Sequence, residues 1–176
     1  LIPYIDVWNL DDFLRNQCVD WGDDRLFTEI AKVANGSQWN VISEECPTNN
    51  LVHRLTEYKN SFDWIILSSR FDDDFIVNSA IHFPWDFETL TAERSSEFVK
   101  RVIVIPELHK NIDWDWQVVL SKLDDEFVIN NIANIPFDMH SETERYLTSY
   151  SDVIIDHPDK KWNWIYISKE SDLSFL

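Results

Sequence analysis

A chain of 176 residues with 44% hydrophobic residues can bury one sizeable core and is not disordered, and its formal charge of −17 at pH 7 argues against direct contact with nucleic-acid phosphates, which need a basic face that releases counterions. Two glycines, Gly22 and Gly36, are too few for a Gly-rich phosphate loop or a series of tight hairpins. No apolar run approaches the length that spans a membrane, and no signal peptide is visible.

The first residue is Leu1, not Met, so the sequence is expected to be part of a longer chain. Cys18 and Cys46 have no metal-ligand spacing and read as two reduced, buried thiols of a cytoplasmic protein. Asn35-Gly36-Ser37 matches a glycosylation sequon, but so short a pattern arises by chance and does not argue for secretion.

Taken in chain order, the sequence is built on a signature of two parts. The first is aromatic, Asp or Asn, aromatic, two residues, Leu or Ile, then Ser or Thr. The second is an acid followed by two apolar residues. Near the start only fragments occur, Asp12-Phe13-Leu14 and Val19-Asp20-Trp21, so residues 1–36 read as irregular or degenerate N-terminal repeats. A helical repeat region is expected over 37–176. It opens with Trp39-Asn40-Val41-Ile42-Ser43, followed eleven residues on by Asn50-Leu51-Val52. Phe62-Asp63-Trp64-Ile65-Ile66-Leu67-Ser68 is followed by Asp74-Phe75-Ile76, and Trp85-Asp86-Phe87-Glu88-Thr89-Leu90-Thr91 by Glu97-Phe98-Val99. Trp114-Asp115-Trp116-Gln117-Val118-Val119-Leu120-Ser121 reads as a copy with one extra residue, followed by Glu126-Phe127-Val128. Phe137-Asp138-Met139 is degenerate and precedes Asp152-Val153-Ile154. Trp162-Asn163-Trp164-Ile165-Tyr166-Ile167-Ser168 leads to Ser174-Phe175-Leu176.

From the second aromatic to the acid is ten residues at Trp64, Phe87 and Trp116. The second-aromatic positions are 21, 39, 64, 87, 116, 139 and 164, with a central period of about 24, inside the range of solenoid repeats. Such a unit holds two short helices and two turns. The Asp or Asn between the aromatics suits an N-cap, and the acid runs suit a second helix N-terminus. Pro84, Pro136 and Pro158 punctuate the gaps. The expected fold is therefore mainly α, an α-solenoid of short helix pairs. Val102-Ile103-Val104-Ile105 and Asp152-Val153-Ile154-Ile155 have strand propensity and allow one small β insertion. The expected core of the stacked units is Trp39, Phe62, Trp64, Leu67, Phe75, Trp85, Phe87, Leu90, Phe98, Trp114, Trp116, Leu120, Phe127, Val153, Trp162, Trp164 and Ile167.

The tandem Trp-Asp-Trp-x-x-Leu-Ser units resemble repeats found in many copies in proteins of large DNA viruses and of some bacteria. Their two-part unit is also similar to the leucine-rich-repeat-variant type of helical solenoid. The resemblance covers roughly residues 37–176 and implies a superhelix of short helices; it carries no activity.

Candidate chemistry is thin. His53, His82, His109, His140 and His157 do not pair with one another or with a Cys at ligand spacing. His140-Ser141-Glu142 and His157-Pro158-Asp159 place an acid near a His, and surface polarity is the simpler account. Glu57-Tyr58-Lys59 matches half of a metal-dependent nuclease centre, without the upstream acid such a centre needs. An aromatic ligand cage is conceivable where the units are irregular, near Trp8 or Trp21. No catalytic residue, metal or cofactor is expected. The leading expectation is a non-catalytic repeat scaffold or protein-interaction module of a larger protein, whose partner is another protein or further domains of the same chain. The alternatives are an acidic nucleic-acid-mimicking inhibitor and the regulatory region of an enzyme whose catalytic domain lies outside this sequence.

Overall fold

The computed structural model of the chain describes residues 9–133, 135–136, 139–140 and 151–170. Among them are twelve α-helices, one 3-10 helix and no strand. No described helix is long and apolar enough to cross a membrane. The chain divides into two compact units between Asp86 and Phe87.

The first unit carries α1 (Leu10–Leu14), α2 (Asp24–Val33), α3 (Gly36–Glu45), α4 (Thr48–Leu51), α5 (Trp64–Arg70) and α6 (Asp73–Asn78). Here α3 is the hub, packing against α1 on one side and α5 on the other. Residues 1–36, expected to be irregular, thus hold two helices among their described residues. The second unit carries α7 (Phe87–Glu93), α8 (Ser96–Ile103), a 3-10 helix (Pro106–Lys110), α9 (Trp116–Ser121), α10 (Asp125–Asn131), α11 (Ser151–Asp156) and α12 (Trp164–Glu170). In it α7 packs on α9, and α8 on the 3-10 helix.

Most of these helices are too short to form alone, so what starts them matters. Polar side chains just before most of the first turns accept orphan backbone N–H groups. Asp63 accepts from Ile65 and Ile66 at 3.0 and 3.1 Å, and Asp115 from Gln117 and Val118 at 3.1 Å each. Asn163 accepts from Tyr166 at 3.0 Å. These are the residues between the paired aromatics. The second-part helices are capped two residues before the acid, by Asp72, Ser95 and Asp124, each accepting the N–H of the Phe three residues on. In α3 the cap is Asn35, which forms a reciprocal capping box with Gln38. The sequon is therefore a helix start.

Cap positions and first turns hold sixteen of the 32 acidic residues: Asp23, Asp63, Asp72, Asp115 and Asp124 as caps, with Asp11, Asp12, Asp24, Asp73, Asp74, Glu88, Glu97, Glu107, Asp125, Glu126 and Asp152 just inside. Many short helices mean many positive helix N-termini, and negative charge there is stabilising. Half of the acidic residues thus have a local structural use.

The β insertion does not form. Val102 and Ile103 close α8, Val104 is its C-cap, and Ile105 precedes the 3-10 helix. Asp152–Ile155 lies inside α11. The Ser95 cap starts α8, and Phe98, Val99, Val102 and Ile103 then fall on one buried helical face. Burial at helical spacing overrides the strand propensity of β-branched residues.

Replacing Asp63 by Ala should lower stability by about 1 kcal/mol through the lost cap. Leu67→Ala, in the core of the same helix, should cost about 2–5 kcal/mol. Urea unfolding followed by circular dichroism measures both. An Asp63→Ala midpoint equal to that of the parent would show that the cap does not stabilise α5.

Candidate functional site

Numbering each signature copy from its second aromatic as zero brings the copies into register. At +3 stand Ile42, Leu67, Leu90, Val119 and Ile167, all fully or almost fully buried. At −2 stand Phe62, Trp85, Trp114 and Trp162, also buried. At +12, in the second part, Leu51, Ile76, Val99 and Val128 are buried.

Position +4 is where copies join. Ser43, Ser68 and Thr91 are buried hydroxyls. The Ser43 hydroxyl donates to the Trp39 carbonyl at 2.8 Å and accepts the backbone N–H of Asp63, the cap of the next copy, at 2.9 Å. The Ser68 hydroxyl accepts the N–H of Asp86, again the acid of the next copy, at 2.9 Å. Thr91 donates to the Phe87 carbonyl at 2.8 Å. A second tie comes from +6, where Arg70 donates to the Ser43 carbonyl and Lys122 donates to the Ala92 and Arg94 carbonyls at 2.6 Å each. Both basic groups meet carbonyls at the C-terminal end of an earlier first-part helix, where cations are favoured.

This geometry corrects one expectation. The copy at Trp116 carries no extra residue within its helix. Val119 takes the aliphatic place at +3 and Leu120 the hydroxyl place at +4, both buried. Ser121 is exposed and bonds its own helix at the Val118 carbonyl, 2.7 Å. Leu120 is core, but it replaces a hydrogen-bonding group rather than matching Leu67.

Of the residues expected in the core, Trp39, Phe62, Leu67, Trp85, Phe87, Leu90, Phe98, Trp114, Leu120, Trp162 and Ile167 are buried. Trp64, Phe75, Trp116, Phe127 and Val153 are half-buried. Trp164 is a correction: it is 44% exposed. Trp64 is covered because Phe83 stacks on it at 5.4 Å and Trp85 meets it edge-on at 5.0 Å, while its indole N–H donates to the Lys59 carbonyl. No described ring packs on Trp164 in that way. Phe137, Asp138, Ser141, Glu142, Ser174, Phe175, Leu176 and Trp8 lie outside the described residues.

The candidate chemical residues are dispersed by the fold. Among the described residues no three His, Cys, Asp or Glu side chains stand where they could hold a metal ion. The His109 ring nitrogen Nε2 lies 2.8 Å from the Ile103 carbonyl. Lys59 of the Glu57-Tyr58-Lys59 pattern donates to the His82 carbonyl at 2.6 Å. Trp21 packs against Phe27 in the core rather than forming a cage.

Among the described residues two concave places stand out. An open groove of about 360 Å³ runs beside Lys100, Asp124 and Phe127. Lys100 donates to Asp124 there, holding that carboxyl below and the ammonium above their ordinary ranges. A more enclosed cleft of about 320 Å³ is lined by Asp24, Phe27 and Thr28 of α2 and by His53, Arg54, Glu57 and Tyr58 after α4. Buried Arg54 lies 4.3 Å over the Phe27 ring, donates to the Asn50 carbonyl, and pairs with Asp24 at 2.7 Å. Tyr58 packs on Phe27 at 5.5 Å and Trp39 at 5.4 Å. Burial first, and then Glu57, raises its phenol pKa. Glu57 and Tyr58 belong to the Glu57-Tyr58-Lys59 pattern, but no motif joins them to Asp24, Phe27 or Arg54, because these residues meet only when α2 and the turn after α4 are brought together.

Comparison with known proteins brings no family: no family model, curated protein or solved structure matches the chain.

Ser68→Ala removes the acceptor of the Asp86 N–H and should cost about 1–3 kcal/mol in urea unfolding. Ser121→Ala, at the exposed site, should stay within about 0.5 kcal/mol. Equal costs would contradict the register given above. Cys46 is fully buried, and burial pushes its thiol up to about 12 from 9.0. The unfolded chain loses this proton at a lower pH than the folded one. Cys46 therefore contributes stability that is lost as pH rises between about 9 and 12. At pH 8 a thiol reagent should titrate exposed Cys18 alone, and both cysteines after denaturation. Two fast-reacting thiols in the native protein would contradict that burial.

Proposed function

We propose that this chain is a non-catalytic repeat region of the solenoid type, with units of about 24 residues, that serves as a scaffold or protein-interaction module. The single observation that carries the reading is the recurring link at +4, in which a buried hydroxyl of one copy holds the N–H of the acid between the aromatics of the next, Ser43 to Asp63 and Ser68 to Asp86. A link made once would be an accident of packing. Made twice at the same sequence positions, it is what translation of one structural unit along the chain requires. In such arrays each unit contacts its neighbours, and stability sums over units and interfaces. The resemblance to tandem Trp-Asp-Trp repeat proteins points the same way. Among the candidate chemical residues, His109 and Lys59 are engaged by carbonyls and Trp21 by a ring contact, which supports a scaffold too.

Acids at helix starts also weaken the nucleic-acid-mimic alternative, since half of the acidic residues have a local structural use.

Deleting residues 64–86 joins Asp63 to Phe87 and keeps the order aromatic, Asp, aromatic across the junction. A repeat region should survive this as a cooperatively melting helical protein with unchanged helicity per residue, measured by circular dichroism. Collapse to a non-cooperative or unfolded state would contradict the repeat reading. For the scaffold role, the immobilised chain should retain a protein partner. A monomer that retains none and turns over a substrate would contradict it.

A further inference from the structure

The cleft of about 320 Å³ in the first unit has one feature that the repeat reading does not use. Its two charged partners are buried unequally. The Arg54 side chain is 8% exposed, whereas that of Asp24, its counter-ion at 2.7 Å, is 93% exposed. A buried guanidinium needs an anion, because leaving it unpaired in the interior is costly. Asp24 stays hydrated whether or not it touches Arg54, so its departure costs little.

We infer that the cleft is a carboxylate-binding site, with Asp24 occupying the place of the ligand's carboxylate in the free protein. Arg54 is held for this role. Its Nη1 donates to the Asn50 carbonyl and its Cζ lies over the Phe27 ring at 4.3 Å, which fixes the guanidinium while Nη2 serves the anion now supplied by Asp24. Phe27 and Tyr58, 5.5 Å apart by ring centres, give the cleft aromatic surface, and His53 lines the same space. Thr28 lines it too, but its hydroxyl already donates to the Asp24 carbonyl at 2.7 Å. Glu57 adds negative charge at the lining and disfavours a second charge on the ligand. The chemistry that fits is a singly charged carboxylate on an aromatic or apolar body. A doubly charged phosphate does not fit. The site stands on this local geometry and does not depend on the repeat reading.

Benzoate and inorganic phosphate are the probes, titrated into the full chain and followed by amide chemical shifts in NMR. Benzoate should produce saturable shifts at Phe27, Thr28 and Tyr58, and phosphate should bind more weakly. Asp24→Asn removes the internal competitor and should tighten benzoate binding by about 2- to 5-fold, the range set by an exposed ion pair. Glu57→Gln, which leaves the bonds to Arg54 in place, should also tighten it, and Arg54→Gln should abolish it. If the Arg54 variant does not fold, the first two variants still decide. Non-saturating shifts, tighter phosphate than benzoate, or unchanged affinity in both Asp24→Asn and Glu57→Gln would overturn the site.

Discussion

The structure of the first unit depends on a hydroxyl group in an unusual place. Serine within a helix ordinarily contributes little, because it competes for backbone bonds. Ser43 and Ser68 are instead buried, Ser43 is seen to donate within its own helix, and both accept an N–H from the acid between the aromatics of the next copy, Asp63, which caps α5, and Asp86. A hydroxyl can do both, having one hydrogen and two lone pairs. The capping Asp needs such a partner. Its side chain satisfies the amides of the following turn, but its own N–H has no partner inside the helix it starts. The interaction fixes the distance between one helix and the start of the next. That distance sets where the rings around it must pack.

The rings follow from that constraint. In the first unit, edge and stacked contacts run from Phe27 through Tyr58 and Trp39 to Phe62, and on through Trp64 to Phe83 and Trp85. In the second, Phe87, Trp114 and Trp116 form a shorter series. Such contacts add about 0.5–1.5 kcal/mol each beyond area burial. Short helices that could not persist alone are thereby held as a set. The same economy explains the charge. Helices of four to ten residues give many N-termini per length of chain, and acids collect there.

Much of this was legible in the sequence because it is periodic. Asp63 and Asp115 were readable as caps, since Asp before an apolar run has a local mechanism. Leu67, Leu90 and Ile167 were readable as core from their spacing to an aromatic. The bridging role of Ser68 was not, since its partner Asp86 lies eighteen residues on and no local rule connects them. Leu120 was misassigned because an aliphatic in the hydroxyl place makes Val119-Leu120-Ser121 look like an insertion. Val102 and Ile103 misled through propensity, which a cap at Ser95 and a buried face overruled. Trp164 matched the pattern of Trp64 but lacks the covering rings, and a pattern does not carry its neighbours. The Arg54 cleft left no trace, because Asp24 and Arg54 are thirty residues apart and belong to no motif.

The most direct measurement is native-state hydrogen exchange at the backbone amides of Asp63 and Asp86. An N-cap amide on an exposed helix start exchanges quickly, having no helical acceptor. If buried hydroxyls tie one copy of the signature to the next, both amides exchange slowly, and Ser68→Ala releases Asp86 while leaving Asp63 protected. Fast exchange at both positions in the parent protein, or unchanged protection of Asp86 in the variant, would contradict that link.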